Sequence, residues 1–180
     1  MSPVFHDEIN ISGLDVRLTK GENMKRGRSE NHIKTQFDDC ELPAQNATSD
    51  QVRSILGNYK TVAVVGMSRL TEKDSNRVAR YLELNGYKIL PVNPIAQTIM
   101  GKQSYSSLKE IPGKIDIVCI FRPSAEVPGI VDDAIGIGAH VIWMQLGIAH
   151  NEAAQKARSA GIVVVMNKCM LVEHANLGGM

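Results

Sequence analysis

From Thr48 onward, five short apolar runs recur along the chain, at residues 61–65, 87–92, 115–121, 140–146 and 162–166. Each is rich in Val and Ile and nearly continuous rather than alternating, as strands covered on both faces are. Helical periods lie between them. Ser75–Asn85 carries Val78, Ala79 and Leu82 on one face and stops at Gly86. Residues 124–137 predict a second helix, with Pro128 near its first turn, where a missing N–H costs least. Asn151–Ala160 predicts a third, ended by Gly161. Ahead of the first strand, Thr48-Ser49-Asp50 caps a short helix through Leu56, with Gly57 just past its end. Cys169–Leu177 closes the series as a last short helix. This order predicts an α/β fold, a three-layer, doubly wound, five-stranded parallel sheet whose right-handed crossovers place helices on both faces.

Residues 1–47 read differently, being polar, mixed in charge and without a sustained period. They are expected to form a flexible N-terminal extension to a single domain spanning 48–180. Ile9, Ile11, Leu14, Val16 and Leu18 alternate loosely around Ser12-Gly13 and offer an edge hairpin as the alternative. Lys25-Arg26-Gly27-Arg28 is a small basic cluster, expected to be solvated linker rather than a localisation or partner signal, and Met24 offers an alternative start.

The bulk charge narrows the function classes. Lys plus Arg total 20 against 19 Asp plus Glu, a net charge of +1, which argues against a broad basic field for nucleic acid. An aromatic content of 4% leaves few stacking platforms for single strands. No secretory h-region and no apolar stretch of membrane-spanning length occurs, so the expected setting is cytoplasmic, with no membrane partner. Cys40, Cys119 and Cys169 form no CxxC and suggest reduced thiols.

The candidate chemistry sits where strands end. Val62-Ala63-Val64-Val65-Gly66-Met67-Ser68 and Leu90-Pro91-Val92-Asn93-Pro94 should leave the sheet on one edge, where doubly wound folds hold nucleotides. Gly66 allows a sharp turn, and a side chain there is expected to block an approaching phosphate. Ser68 and Ser75 offer hydroxyls, Asp74 or Ser75 can cap the following helix, and its N-terminus favours an anion. Arg69, Lys73 and Arg77 add cations. The competing reading is an ordinary βα loop with solvated charges. The dinucleotide fingerprint GxGxxG is absent, and the acid that would bond NAD ribose at the end of strand two is replaced by Asn93. Asn93 can bond a ribose or adenine edge without repelling a phosphate, and Pro94 stiffens the wall; alternatively Asn-Pro merely ends the strand with a turn. Coenzyme A, whose ribose carries a 3′-phosphate, suits such a neutral or cationic pocket.

Later exits add further candidates. Arg122 leaves strand three at the same edge and faces either phosphate, pantetheine amides, solvent or a subunit contact. Gln145 is the polar residue where strand four ends, and Trp143 just before it belongs to core or a dimer surface. Asn167 and Cys169 follow strand five. Lys168 and a helix start beside Cys169 favour a thiolate that could form a mixed disulfide, against the bland reading of a small residue filling a tight turn. Cys119, inside an apolar strand, is core. No metal, triad or nucleophile-elbow spacing occurs.

Taken together, residues 52–178 resemble the small stand-alone CoA-binding domain proteins, which are akin to the CoA-binding domain of the succinyl-CoA synthetase alpha subunit. The resemblance rests on the two strand exits, Ser75 to Leu82, Gly86-Tyr87, Phe121-Arg122-Pro123, Gly138-Ala139, Asn167-Lys168-Cys169-Met170 and Glu173-His174. It implies a Rossmann-like sheet binding coenzyme A or an acyl-CoA, with Gly66, Met67 and Ser68 at the diphosphate, Asn93-Pro94 along adenosine, and Asn167 and Cys169 near pantetheine. Met67 departs from the family's usual Ala and is expected to narrow the cradle or to point outward. The extension also lies outside the family pattern. The expected function is a non-catalytic binding module, a carrier, sensor or regulator of acyl-CoA metabolism. The alternatives are an NAD(P)-dependent oxidoreductase, a partner-dependent acyl-CoA ligase subunit, or an interaction protein; a homodimer or other protein partner stays open.

Overall fold

The computed structural model describes residues 41–177. The expectations for 1–40, including the hairpin around Ser12-Gly13, the basic cluster, Met24 and Cys40, lie outside the described residues.

Helix α1 (Ser49–Asn58) opens on a capping box, in which the Thr48 hydroxyl accepts from the Gln51 amide and the Gln51 side chain accepts from the Thr48 amide. It runs two residues beyond Leu56 and so takes Gly57 inside it. The main sheet comprises β1 (Thr61–Val65), β2 (Lys88–Val92), β5 (Ile117–Ile120), β6 (Val141–Met144) and β7 (Val163–Val165), all parallel, in the order β2-β1-β5-β6-β7. Helices α2 (Asp74–Leu84), α3 (Val127–Gly136), α4 (Asn151–Ser159) and α5 (Met170–Ala175) complete the domain. A hairpin of β3 (Thr98–Ile99) and β4 (Lys102–Gln103), which the periodicity does not reveal, follows β2.

The two faces of the sheet divide by strict alternation. Ala63, Val118, Ile120, Ile142, Met144 and Val164 pack with Val127 and Val131 of α3 and Ala153, Ala154 and Ala157 of α4. Val62, Val64, Ile117, Cys119, Val141, Trp143 and Val165 pack with α1, α2 and Met170 of α5. Trp143 is fully buried, and its indole donates to the Lys168 carbonyl at 2.7 Å. It therefore offers no surface to a dimer, which removes the basis for the sequence-derived homodimer hint. Both edges are dressed. Beside β2, Tyr105 pairs in parallel with Val92, its amide donating to Pro91 and its carbonyl accepting from Asn93. Beyond β7, the Asn46 side chain donates to the Met166 carbonyl at 2.7 Å and accepts from its amide at 2.9 Å, standing in for one rung of a strand. Residues 41–46 are also fastened to α4, the Glu41 carboxylate accepting from the Asn151 backbone and side-chain amides.

Because the chain passes from β2 over β1 to β5, the connections to the two neighbours of β1 leave on opposite faces. The crevice beyond the carboxyl ends of β1 and β5 is thus the topological switch point at which such sheets bind ligands.

Candidate functional site

The β1 exit is shaped by Gly66, whose φ of +82° is a conformation that disfavours a side chain. Its amide still donates to the Val92 carbonyl at 3.0 Å, so the turn begins one residue after the ladder. A Cβ here would lie 2.8 Å from the Phe121 carbonyl and 2.6 Å from Arg122 Cδ. The missing side chain therefore admits the β5 exit, and a residue at 66 would strike protein before it met a phosphate.

Met67 neither narrows the cradle nor points outward: its side chain is wholly buried among Val64, Val78, Ala79 and Leu82. Only its backbone is available to the turn, and its carbonyl accepts from Asn93 Nδ2 at 2.9 Å. Ser68 is pinned three ways. Its amide donates to Ser75 Oγ at 3.0 Å, its hydroxyl accepts from the Leu70 amide at 3.1 Å, and its carbonyl accepts from Asn76 Nδ2 at 2.8 Å. Ser75 thus steadies the loop instead of capping α2. Lys73 occupies the N-cap without a side-chain cap bond, and neither Asp74 nor Ser75 caps. Lys73 and Arg69 are exposed, while Arg77 pairs with Asp74 at 3.4 Å.

Asn93 ends β2 as a turn residue. Its Oδ1 accepts from both the Ile95 and Ala96 amides, at 2.8 and 3.1 Å, which uses both lone pairs. One Nδ2 hydrogen remains after the bond to Met67. Of the ribose or adenine-edge contact expected of Asn93, the side chain has this Nδ2 hydrogen left to offer. Pro94 is exposed beside it. Between these two exits lies a cleft of about 470 Å³ lined by Ser68, Arg69, Leu70, Asn93, Ile95 and Ala96. Two of its walls are large apolar side chains facing solvent, Leu70 at 53% and Ile95 at 87% exposure. Sequence reasoning passed over both, although an isolated aliphatic residue in an otherwise polar strand-exit loop is the signal that marks them.

Arg122 lies on the far side of β1 from the cleft. Its stem crosses Gly66, and its guanidinium donates from Nε and Nη2 to Glu126 at 2.8 and 2.7 Å, a pair that holds it above the usual arginine range. Gln145 does not line the edge. It is 3% exposed, donating to Cys119 Sγ at 3.0 Å and accepting from the Met170 amide at 3.3 Å, and so ties β6 to β5 and to the start of α5. Burial drives the polar group to these internal partners. Asn167, with φ +53°, accepts from the Gly147 amide at 2.8 Å and thereby joins the β7 and β6 exits. Cys169 is half-buried at the N-cap of α5. The Lys168 ammonium pairs with Glu173 at 3.0 Å. Cys119 is wholly buried, which pushes its thiol up to about 12, and is core as expected. Among the described residues no cluster of His, Cys, Asp or Glu could hold a metal. No helix there is long and apolar enough to cross a membrane.

The structure accordingly gathers Gly66, Ser68, Lys73, Ser75, Asn93, Pro94, Arg122, Asn167 and Cys169 on one sheet edge. It withdraws the side chains of Met67 and Gln145 into the interior. A family model described as a CoA binding domain matches residues 60–175. The protein YneT of Bacillus subtilis is 39% identical over 131 residues, 73% of this chain and 97% of its own length. A solved structure from Pyrococcus horikoshii OT3 superposes with a TM-score of 0.73 at 39% identity, covering 77% of this chain and 98% of that one. The acetate–CoA ligase (ADP-forming) II of Archaeoglobus fulgidus is 38% identical over 74 residues, 40% of this chain but only 11% of the ligase.

Proposed function

Because this chain belongs to the CoA binding domain family, we propose that it binds coenzyme A or an acyl-CoA as a non-catalytic module. The observation that carries the reading is the cleft between the β1 and β2 exits, with Leu70 and Ile95 as apolar walls, Arg69 at its rim and no carboxylate in its lining. Such a cleft suits an adenine between aliphatic side chains with phosphates beside a cation. The Ser68 loop, braced by Ser75 and Asn76, brings the N-terminal turn of α2 to the same place, where free amides favour an anion. NAD is disfavoured because the strand-two acid that would bond its ribose hydroxyls is Asn93, whose oxygen is already saturated.

Calorimetric titration of the purified protein with coenzyme A, acetyl-CoA, NAD and NADP tests this. Micromolar binding of coenzyme A or its ester alone is expected. Binding of NAD or NADP in its place would overturn the reading and point to an oxidoreductase, and silence from all four would point to an interaction protein. Similarity to part of an acetate–CoA ligase favours one second reading, a partner-dependent acyl-CoA ligase subunit. That reading expects no ADP from ATP, acetate and coenzyme A with this chain alone, and turnover once a partner chain is added.

A further inference from the structure

At the β1–β5 switch point, the chemistry of the Arg122–Glu126 pair reaches beyond a surface salt bridge. A guanidinium has five N–H donors in one plane and two edges that can each grip a pair of oxygens. Glu126 holds the side-on edge, Nε to Oε2 at 2.8 Å and Nη2 to Oε1 at 2.7 Å. The end-on fork, Nη1 together with the second Nη2 hydrogen, has no acceptor among the described residues. Two features fix where that fork sits. The arginine stem lies across Gly66, where only a residue without Cβ leaves room. Glu126 ends a short 3-10 helix, Ser124–Glu126, that runs straight into α3, so the carboxylate stands on a built element.

We propose that Glu126 is a positioning residue for the ligand's phosphates, holding Arg122 side-on so that its end-on fork is preset to take two phosphate oxygens at the β1 exit. This rests on the coenzyme A reading of the same edge. An unrestrained arginine would lose its rotamer freedom at the moment of binding; one already held by Glu126 and seated on Gly66 has lost it beforehand. Against that gain stands the negative charge of Glu126 itself, one guanidinium away from the phosphates. Both members of the pair are nearly half exposed, at 47% and 45%, so salt weakens both effects, but it screens the longer-range repulsion across the guanidinium more than the direct bidentate contact at 2.7–2.8 Å.

The two effects separate in a double-mutant cycle, measured by calorimetry with coenzyme A and with inorganic pyrophosphate at 0.5 M salt, where the screening length is roughly 4 Å. Glu126→Gln keeps the size of the side chain and removes the bidentate grip. Arg122→Met keeps a stem over Gly66 and removes the fork. With Arg122 present, Glu126→Gln should weaken coenzyme A by about fivefold, the scale of one immobilised side chain. In the Arg122→Met background the same change should leave affinity unaltered, which a merely structural role for Glu126 would not produce. Arg122→Lys, which keeps the charge but has no fork, should lose nearly as much as Arg122→Met. Equal or tighter binding by Glu126→Gln at high salt, or the same loss with and without Arg122, would overturn the assignment. If the wild-type protein takes up pyrophosphate with this Arg122–Glu126 coupling but ignores coenzyme A, the coenzyme A reading fails and the clamp stands. If it takes up neither, both fail.

Discussion

Replacing Gly66 by Ala separates two roles that a strand-exit glycine can play, making room for a ligand or making room for its own protein. The structure gives the second. Alanine at φ +82° costs about 1–2 kcal/mol in backbone conformation alone. Its Cβ would lie 2.8 Å from the Phe121 carbonyl, a backbone atom of a residue whose amide is held by the Val65 carbonyl, and so not free to swing aside as a side chain would. The second clash, 2.6 Å from Arg122 Cδ, is relieved only by moving that stem off the β1 exit. Overpacking of this kind adds about 1–3 kcal/mol. The sum, about 2–5 kcal/mol, is a large part of the stability of a domain this size and corresponds to a fall in melting temperature of roughly 10 °C. Urea unfolding with an unchanged m-value is the assay. Gly57→Ala is its control, since Gly57 lies inside α1 with nothing within 4 Å of an added Cβ and should gain about 0.5–1 kcal/mol. A Gly66→Ala protein within about 0.5 kcal/mol of wild type would refute the packing argument. If that protein had also lost coenzyme A, the glycine would be serving the ligand after all.

Other outcomes follow from the same geometry. Asn93→Asp sets a carboxylate oxygen against the Met67 carbonyl where Nδ2 now donates, so it should cost about 1–3 kcal/mol in urea unfolding and confer no NAD affinity by calorimetry. Native protein carrying Cys40→Ser should react with a thiol reagent at Cys169, half-buried, well before Cys119, whose thiol burial pushes up to about 12; intact mass with peptide mapping reads the order. Cys169→Ala should leave reduced coenzyme A affinity unchanged and abolish any mixed disulfide with it, again by intact mass. His174, half-buried against Tyr81 and Tyr87 and bonded to the Tyr81 hydroxyl, is held below its ordinary 6.5 by burial and by the nearby Lys60 charge. The unfolded chain therefore binds the extra proton first, and stability complete above pH 6.5 should decline as pH falls below it. His174→Gln should flatten that part of a pH series of urea melts.

The strands, their common direction and the helices between them were legible because each carries a local period. Val/Ile runs covered on both faces need no long-range information to be recognised, and Gly86 and Gly161 end α2 and α4 with φ of +84° and +83°. The β3–β4 hairpin was not legible, since two-residue strands have too few positions to show alternation. At the edge, sequence position picked out residues that do follow the strands, but it did not show where several of their side chains go. Gln145, Asn167 and Met67 all follow strands, yet nothing local says whether a strand-exit side chain faces solvent or folds back. That is decided by partners far along the chain: Cys119 and Met170 for Gln145, Gly147 for Asn167, the α2 face for Met67. Glu126 was missed for the same reason, because its part depends on where Arg122 lies over Gly66.

These internal ties give the edge its chemical character. Asn93 joins the β2 exit to β1, Gln145 joins β6 to β5 and α5, Asn167 joins β7 to β6, and Ser75 with Asn76 joins α2 to the Ser68 loop. The oxygens of these side chains also accept from the protein, Asn93 Oδ1 from the Ile95 and Ala96 amides, Gln145 Oε1 from Met170, Asn167 Oδ1 from Gly147, Ser75 Oγ from Ser68 and Asn76 Oδ1 from Arg80, so those acceptors are withdrawn from the surface that a ligand would meet. Three carboxylates near the edge are also answered by cations, Asp74 by Arg77, Glu126 by Arg122 and Glu173 by Lys168. What the exits present is thereby weighted toward cationic side chains and the aliphatic walls Leu70 and Ile95. An anionic ligand with an apolar end complements such a surface, and because the ties hold the loops before it arrives, little of the binding energy is lost to ordering them.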